Sequence, residues 1–152
     1  MKFKTLDNAL KFAAEKEDAS CKLYTSFQNI VKNEASRKLL EELAAQELNH
    51  KALIENALAT GDVATIGGKK DISTIGFSDY IVAGSIGPKT NPQDIMQFAM
   101  KMEQAAYNLY TDLLENYGGT SLEPLFSRLA REELQHKEIL EDQYEKHFAQ
   151  WM

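Results

Sequence analysis

The sequence predicts an all-α protein of 152 residues. The expected fold is a four-helix bundle, two antiparallel helix pairs joined by a long crossover. Three observations lead there. The chain repeats itself at an offset of 86 residues, from 17 to 103 and from 47 to 133. Glu17, Tyr24, Glu47 and His50 recur as Glu103, Tyr110, Glu133 and His136. Phe12, Ala19, Leu23, Leu43 and Lys51 recur as Phe98, Ala105, Leu109, Leu129 and Lys137. A two-helix unit has therefore been duplicated. Along each of four segments, apolar residues fall at spacings of three and four, the period of a helix with one buried face. Finally, capping residues bracket those segments, with short links inside each repeat and a long stretch between the two.

The first helix is expected at about 6–31, after Thr5 as cap and with Asp7 in its first turn. Asn33 caps the second, about 34–60, which stops at Gly61. Asn91 and Pro92 restart the pattern, cap then first helical residue, with Asp94 behind them. This third helix reaches about 117, before Gly118-Gly119. Thr120 and Glu123 form a potential capping box for the fourth helix, about 121–148, where Pro124 is tolerated in the first turn. The crossover, about 61–91, contains Gly67, Gly68, Gly76, Gly84, Gly87 and Pro88. It also carries Ile72, Ile75, Phe77, Tyr80, Ile81 and Val82, so it is expected to be ordered, with a short helix near Ser78 to Ala83. A second helix of that length spans roughly 40 Å at 1.5 Å per residue, and thirty residues can return along it. The crossover is longer than a bare return needs, and its surplus is expected to serve dimerisation or to cover a site.

All 152 residues fit one domain with a substantial core. A net charge of −6 and a pI near 5.1 argue against nucleic acid or an anionic membrane as a main partner. One cysteine excludes an intramolecular disulfide framework and a four-cysteine metal site. There is no apolar run long enough to span a membrane, and the N-terminal MKFKTLDNALKFAAEKE is amphipathic rather than secretory, so a cytoplasmic location is expected.

The chemistry lies in the repeat. Glu47 and His50, and Glu133 and His136, are each three residues apart and so share a helix face. Tyr24 and Tyr110 follow Glu17 and Glu103 by seven residues, nearly two turns. Those faces are core faces. Leu40, Leu43, Glu47, His50, Ile54 and Ala57 form one stripe, and Phe126, Leu129, Glu133, His136 and Leu140 another. Glu17 lies among Leu10, Ala13 and Tyr24, and Glu103 among Ile95, Ala99 and Tyr110. Burying four carboxylates unpaired costs more than a small domain can offset, whereas two divalent cations would neutralise them. Glu41, Glu42, Glu55, Glu132, Glu138 and Glu141, off the stripe or without a repeat role, read as solvated surface charges. Oxygen-rich ligation with one imidazole per metal suits iron or manganese better than a structural zinc.

One Glu from each of two helices plus Glu-x-x-His from each of two others resembles the ferritin-like di-iron carboxylate proteins. The chain is most similar to their rubrerythrin branch, over Thr5 to Ala59 and Asn91 to His147. The resemblance implies two iron ions per chain, with manganese compatible and zinc an adventitious substitute. Glu47 and Glu133 would bridge the two metals, while Glu17, His50, Glu103 and His136 would be terminal ligands. Tyr24 and Tyr110 would donate to ligand carboxylates. Cys21, Met96, Met102 and Tyr117 read as core, and His147 as an end-of-bundle histidine. The implied activity is reduction of hydrogen peroxide or O2 by a homodimer, with electrons from an external donor such as a rubredoxin-like carrier, because no four-cysteine iron site lies within these residues. A second feature departs from the rubrerythrin pattern. Ala106 stands where rubrerythrins carry an extra glutamate one turn after the third-helix ligand, which leaves a six-ligand set also seen in bacterioferritin-type ferroxidase sites. Bacterioferritin itself is not expected, because Leu48 stands where it places its haem-ligating methionine. Two other functions fit the same residues: ferrous-iron oxidation or buffering, and a non-catalytic di-metal sensor or interaction module.

Overall fold

The computed structural model describes residues 3–76, 80–82 and 90–151, with the backbone alone for 146–151. Four helices follow one another: α1 (Leu6–Gln28), α2 (Glu34–Thr60), α3 (Pro92–Tyr117) and α4 (Glu123–Trp151). A 3-10 turn, Ile72–Thr74, lies between α2 and α3, and there is no strand among the described residues. Pairs α1–α2 and α3–α4 are the closely packed hairpins, and contacts between hairpins are sparser. No helix among the described residues is long and apolar enough to cross a membrane.

The expected caps form. Thr5, Asn33 and Asn91 each accept a hydrogen bond from the backbone N–H three residues on, at Asn8, Ser36 and Asp94, worth about 1 kcal/mol apiece. Gly61 ends α2 in extended rather than left-handed backbone. Its small size is needed because a Cβ there would lie 2.6 Å from the carbonyl oxygen of Ala57. Gly119 has φ +85° and turns the chain between α3 and α4.

Three boundaries differ from expectation. Helix α1 ends at Gln28, not near Val31, because Asn29 and Ile30 donate to Ser26 and Phe27 and tighten the turn. Val31 is nonetheless buried, so the apolar stripe outlasts the helix. The capping box at Thr120 does not form. Thr120 accepts from the N–H of Leu122, while the Glu123 carboxylate accepts from that of Gly119, and α4 starts at Glu123 rather than 121. At its other end α4 continues past 148 to Trp151.

The described parts of the crossover are pinned to α3. Asn116 of α3 accepts from the N–H of Lys69 through its carbonyl and from that of Lys70 through its side chain, both at 2.8 Å. Ile75 and Tyr80 are buried, and the Tyr80 hydroxyl donates to Asp112 of α3 at 2.5 Å. The short helix expected near Ser78 to Ala83 falls largely outside the described residues.

Apolar side chains form two clusters. One joins Leu6, Leu10, Ile54, Leu113 and Phe126; the other joins Tyr24, Phe27, Leu40, Ile95 and Leu140. The first gathers the start of α1 and α4 with the end of α2 and α3, and the second gathers the opposite ends. Midway between the two clusters lies a layer of charged residues. Packing above and below keeps water from that layer and lowers its effective dielectric.

Candidate metal centre

Glu17 of α1, Glu47 and His50 of α2, Glu103 of α3, and Glu133 and His136 of α4 meet in this middle layer. None of the six is more than 2% exposed. Their donor atoms fall into two overlapping sets, Glu17, Glu47, His50 and Glu133, and Glu47, Glu103, Glu133 and His136. Within each set they lie within 4.8 Å of one another. Glu47 and Glu133 belong to both sets. Glu17 therefore goes with His50 and Glu103 with His136, an assignment the spacing alone left open.

The pairing is crosswise between repeats. His50 places Nδ1 2.6 Å from Glu133 and His136 places Nδ1 2.7 Å from Glu47. Each imidazole thus faces the glutamate of the other motif, and the two rings stack 5.6 Å apart, 12° from parallel. The tyrosines also cross over. Tyr110 donates its hydroxyl to Glu17 at 2.5 Å, and Tyr24 donates to Glu103. The expectation that these tyrosines donate to the candidate ligand carboxylates agrees with this geometry, but each serves the carboxylate of the opposite repeat.

Three oxygens in the layer, Oε2 of Glu17, Glu47 and Glu103, are buried without a hydrogen-bond partner. Buried acceptors left unpaired are costly. Two carboxylates shared between two sets, one further carboxylate and one inward imidazole nitrogen in each, and orphaned oxygens among them fit a pair of divalent cations.

The electrostatics of the metal-free cluster agree. Burial, then the charges of Glu103, Glu133 and Glu17, push Glu47 well above the ordinary carboxylate value. Burial with Glu103 and Glu17 does the same to Glu133. Burial also raises Glu17, but the neighbouring Glu47 carboxyl, the His50 imidazole 3.5 Å away and the Tyr110 hydroxyl outweigh it and hold this carboxyl low. Burial would depress His50, yet Glu17 and then Glu132 raise it. At His136 burial prevails and the value is lowered. Burial and the neighbouring carboxylates, Glu103 for Tyr24 and Glu17 for Tyr110, push both phenols well up, so they stay protonated donors.

Two residues of this region escaped the sequence analysis. Glu132, read there as a surface charge, accepts from Nε2 of His50 at 2.8 Å and is held by Arg128 at 2.9 Å. Gln46 takes the same place on Nε2 of His136. Both directly precede a motif glutamate and are themselves related by the repeat offset, from 46 to 132. That was the available signal. Of the other surface glutamates, Glu41, Glu42, Glu55 and Glu138 are exposed as expected, while Glu141 is half-buried and paired with Lys137 at 2.8 Å. Cys21 is half-buried against the second apolar cluster. The side chain of His147 lies outside the described residues.

A cavity of about 410 Å³ opens beside the layer, between α1 and α3. Glu17, Ala106, Tyr110 and Met102 line it from the helices, and Tyr80 and Val82 from the crossover. The crossover thus borders the approach to the carboxylates. Ala106 and Met102 are half-buried at its wall rather than in the core.

The family model for rubrerythrin matches residues 8–77 and 94–151. Among solved structures, the chain is similar to a hypothetical protein, Pfu-1136390-001, from Pyrococcus furiosus. The two share 24% identity and a TM-score of 0.70, over 93% of this chain and 89% of that one. At that identity the likeness speaks for the fold alone. No curated protein matches the sequence.

Proposed function

We propose that this chain, which belongs to the rubrerythrin family, is a di-iron oxidoreductase that reduces hydrogen peroxide to water with electrons from an external donor. The observation that carries the proposal is the buried double set of donors sharing Glu47 and Glu133. Two ferrous ions held there would supply the two electrons that, with two protons, convert one peroxide to two waters, and a rubredoxin-like carrier would return those electrons.

The protein's own share is positioning. Glu47 and Glu133 offer carboxylates to both positions at once, and His50 and His136 offer Nδ1. With Nδ1 turned inward, Nε2 carries the proton and donates to Glu132 or Gln46, which fixes the tautomer and the ring plane. Tyr24 and Tyr110 anchor the outer carboxylates of Glu103 and Glu17, leaving one oxygen of each unpaired for a metal. The apolar clusters exclude bulk water from both ends, and the cavity beside Glu17 admits a small oxidant. O2 is the alternative oxidant for the same site. A homodimer acting in the cytoplasm belongs to the same proposal.

Stopped-flow mixing of the di-ferrous protein with peroxide tests it. Oxidation within seconds is expected, and a protein that stays ferrous for minutes rules the activity out. A second function, ferrous-iron oxidation without a reductive cycle, is favoured by one residue, Ala106, which withholds the extra carboxylate. Size-exclusion chromatography after aerobic iron loading separates storage from turnover, since a small oligomer that stops at two irons per chain excludes storage.

Ala106→Glu is expected to raise the rate of oxidation by peroxide relative to that by O2 several-fold. Ala106 follows Glu103 by one turn and borders the cavity with Glu17, so a longer side chain has room. The 1–3 kcal/mol cost of overpacking a closed core does not apply in full. An unchanged peroxide-to-O2 ratio in the folded, fully metallated variant would show that this position does not set oxidant preference.

A further inference from the structure

The two ends of the layer present the same donors, a terminal glutamate, two shared glutamates and one imidazole. They differ in what holds the outer nitrogen of that imidazole. At the His50 end it is the Glu132 carboxylate, aligned by Arg128 at 2.9 Å. At the His136 end it is the neutral amide oxygen of Gln46. The repeat partner of Arg128 is Glu42, which is exposed and has no comparable role. The duplication is therefore symmetric in its ligands and broken in the residues behind them.

We propose that Glu132 makes the Glu17/His50 end the tighter metal position and the first to fill. A hydrogen bond from an imidazole N–H to a carboxylate is about twice as strong as one to an amide. It raises the electron density that Nδ1 offers a cation, and the carboxylate adds negative charge close to that position. Groups behind a ligating histidine typically change metal affinity about 10–100-fold. The Glu132 side chain is 23% exposed and shares its charge with Arg128, so solvent and the guanidinium screen part of the effect. The low end of that range, about tenfold, is expected. Glu132 is thus a positioning residue that acts through His50, and Gln46 is its weaker counterpart at His136.

This inference rests on the two-metal reading of the site, not on peroxide chemistry. The test is anaerobic titration of the metal-free protein with Co2+, an ion that stands in for Fe2+ without air oxidation. It is followed by calorimetry and by the 15N-histidine resonances of His50 and His136. Two binding steps about tenfold apart are expected, with the first equivalent shifting His50. Glu132→Gln should weaken the first step about tenfold and merge it with the second. Gln46→Glu should strengthen the second step instead. The double change should make His136 respond first, which a merely structural role for either residue would not produce. The proposal is overturned if the first equivalent shifts His136 or enters both ends together. It is equally overturned if Glu132→Gln weakens both steps alike or neither. Two Co2+ ions bound in steps indifferent to Glu132 defeat this inference alone, while uptake of fewer than two defeats the two-metal reading with it.

Discussion

Glu47→Ala weakens both metal positions together, whereas Glu17→Ala weakens mainly one. Glu47 belongs to both donor sets and Glu17 to only one. The group behind a ligand is already worth about 10–100-fold in metal affinity. Loss of a shared ligand should cost at least that at each position. Glu133→Ala should behave like Glu47→Ala, and Glu103→Ala like Glu17→Ala at the other end. Metal titration of the anaerobic metal-free variants separates these outcomes. Equal loss at both positions in Glu17→Ala and Glu47→Ala would contradict the sharing of Glu47 and Glu133.

Removing the metals lowers the melting temperature, and more so at higher pH. A ligand at a thousand times its dissociation constant stabilises by about 4.1 kcal/mol. At about 2–4 °C per kcal/mol for a domain of this size, the loss is about 8–16 °C for each ion. The pH dependence follows from the direction of each shift. Glu47 and Glu133 titrate higher in the folded metal-free protein than in the unfolded chain. The stability they contribute is present below the unfolded value, about 4.3, and is lost progressively as pH rises toward their folded values. His50, also raised, contributes stability present below about 6.5 and lost as pH rises through its folded value. Glu17 and His136 are lowered, so their contributions are lost only as pH falls below about 4.3 and 6.5 respectively. Above about pH 6.5, then, these site groups act in one direction, and the metal-free protein loses stability. Metal binding needs Glu47 and Glu133 as carboxylates, so it competes with protons there and becomes more favourable as pH rises. Calorimetric scans with and without chelator between pH 6.5 and 8 should show the gap widening. A gap that narrows, or a chelated protein as stable as the loaded one, would contradict a metal-filled layer.

The sequence disclosed the ligand candidates because they break a rule. A charged residue on an apolar stripe is conspicuous, and the 86-residue repeat, from 17 to 103, shows that the break was kept twice. The caps at Thr5, Asn33 and Asn91 were legible because a capping side chain bonds three residues away, within the reach of local sequence. What stayed hidden depends on how helices cross. Nothing in a spacing says that Tyr24 reaches Glu103 rather than Glu17, or that Glu133 faces His50. Glu132 looked like any solvated glutamate until α4 was laid against α2. Val31 misplaced the end of α1 because burial and helicity part company in a turn. Met102 looked like core because its helix is amphipathic, whereas the sparse α1–α3 contact leaves a cavity there.

The central claim is that one chain holds two metals between shared carboxylates. X-ray absorption on protein loaded anaerobically with Fe2+, together with the iron content per chain, tests it most directly. Two irons per chain, each with one imidazole and otherwise oxygen neighbours, and an iron–iron vector of about 3.5–4 Å, are expected. Saturation at one iron per chain, or two irons with no such vector, would contradict the claim.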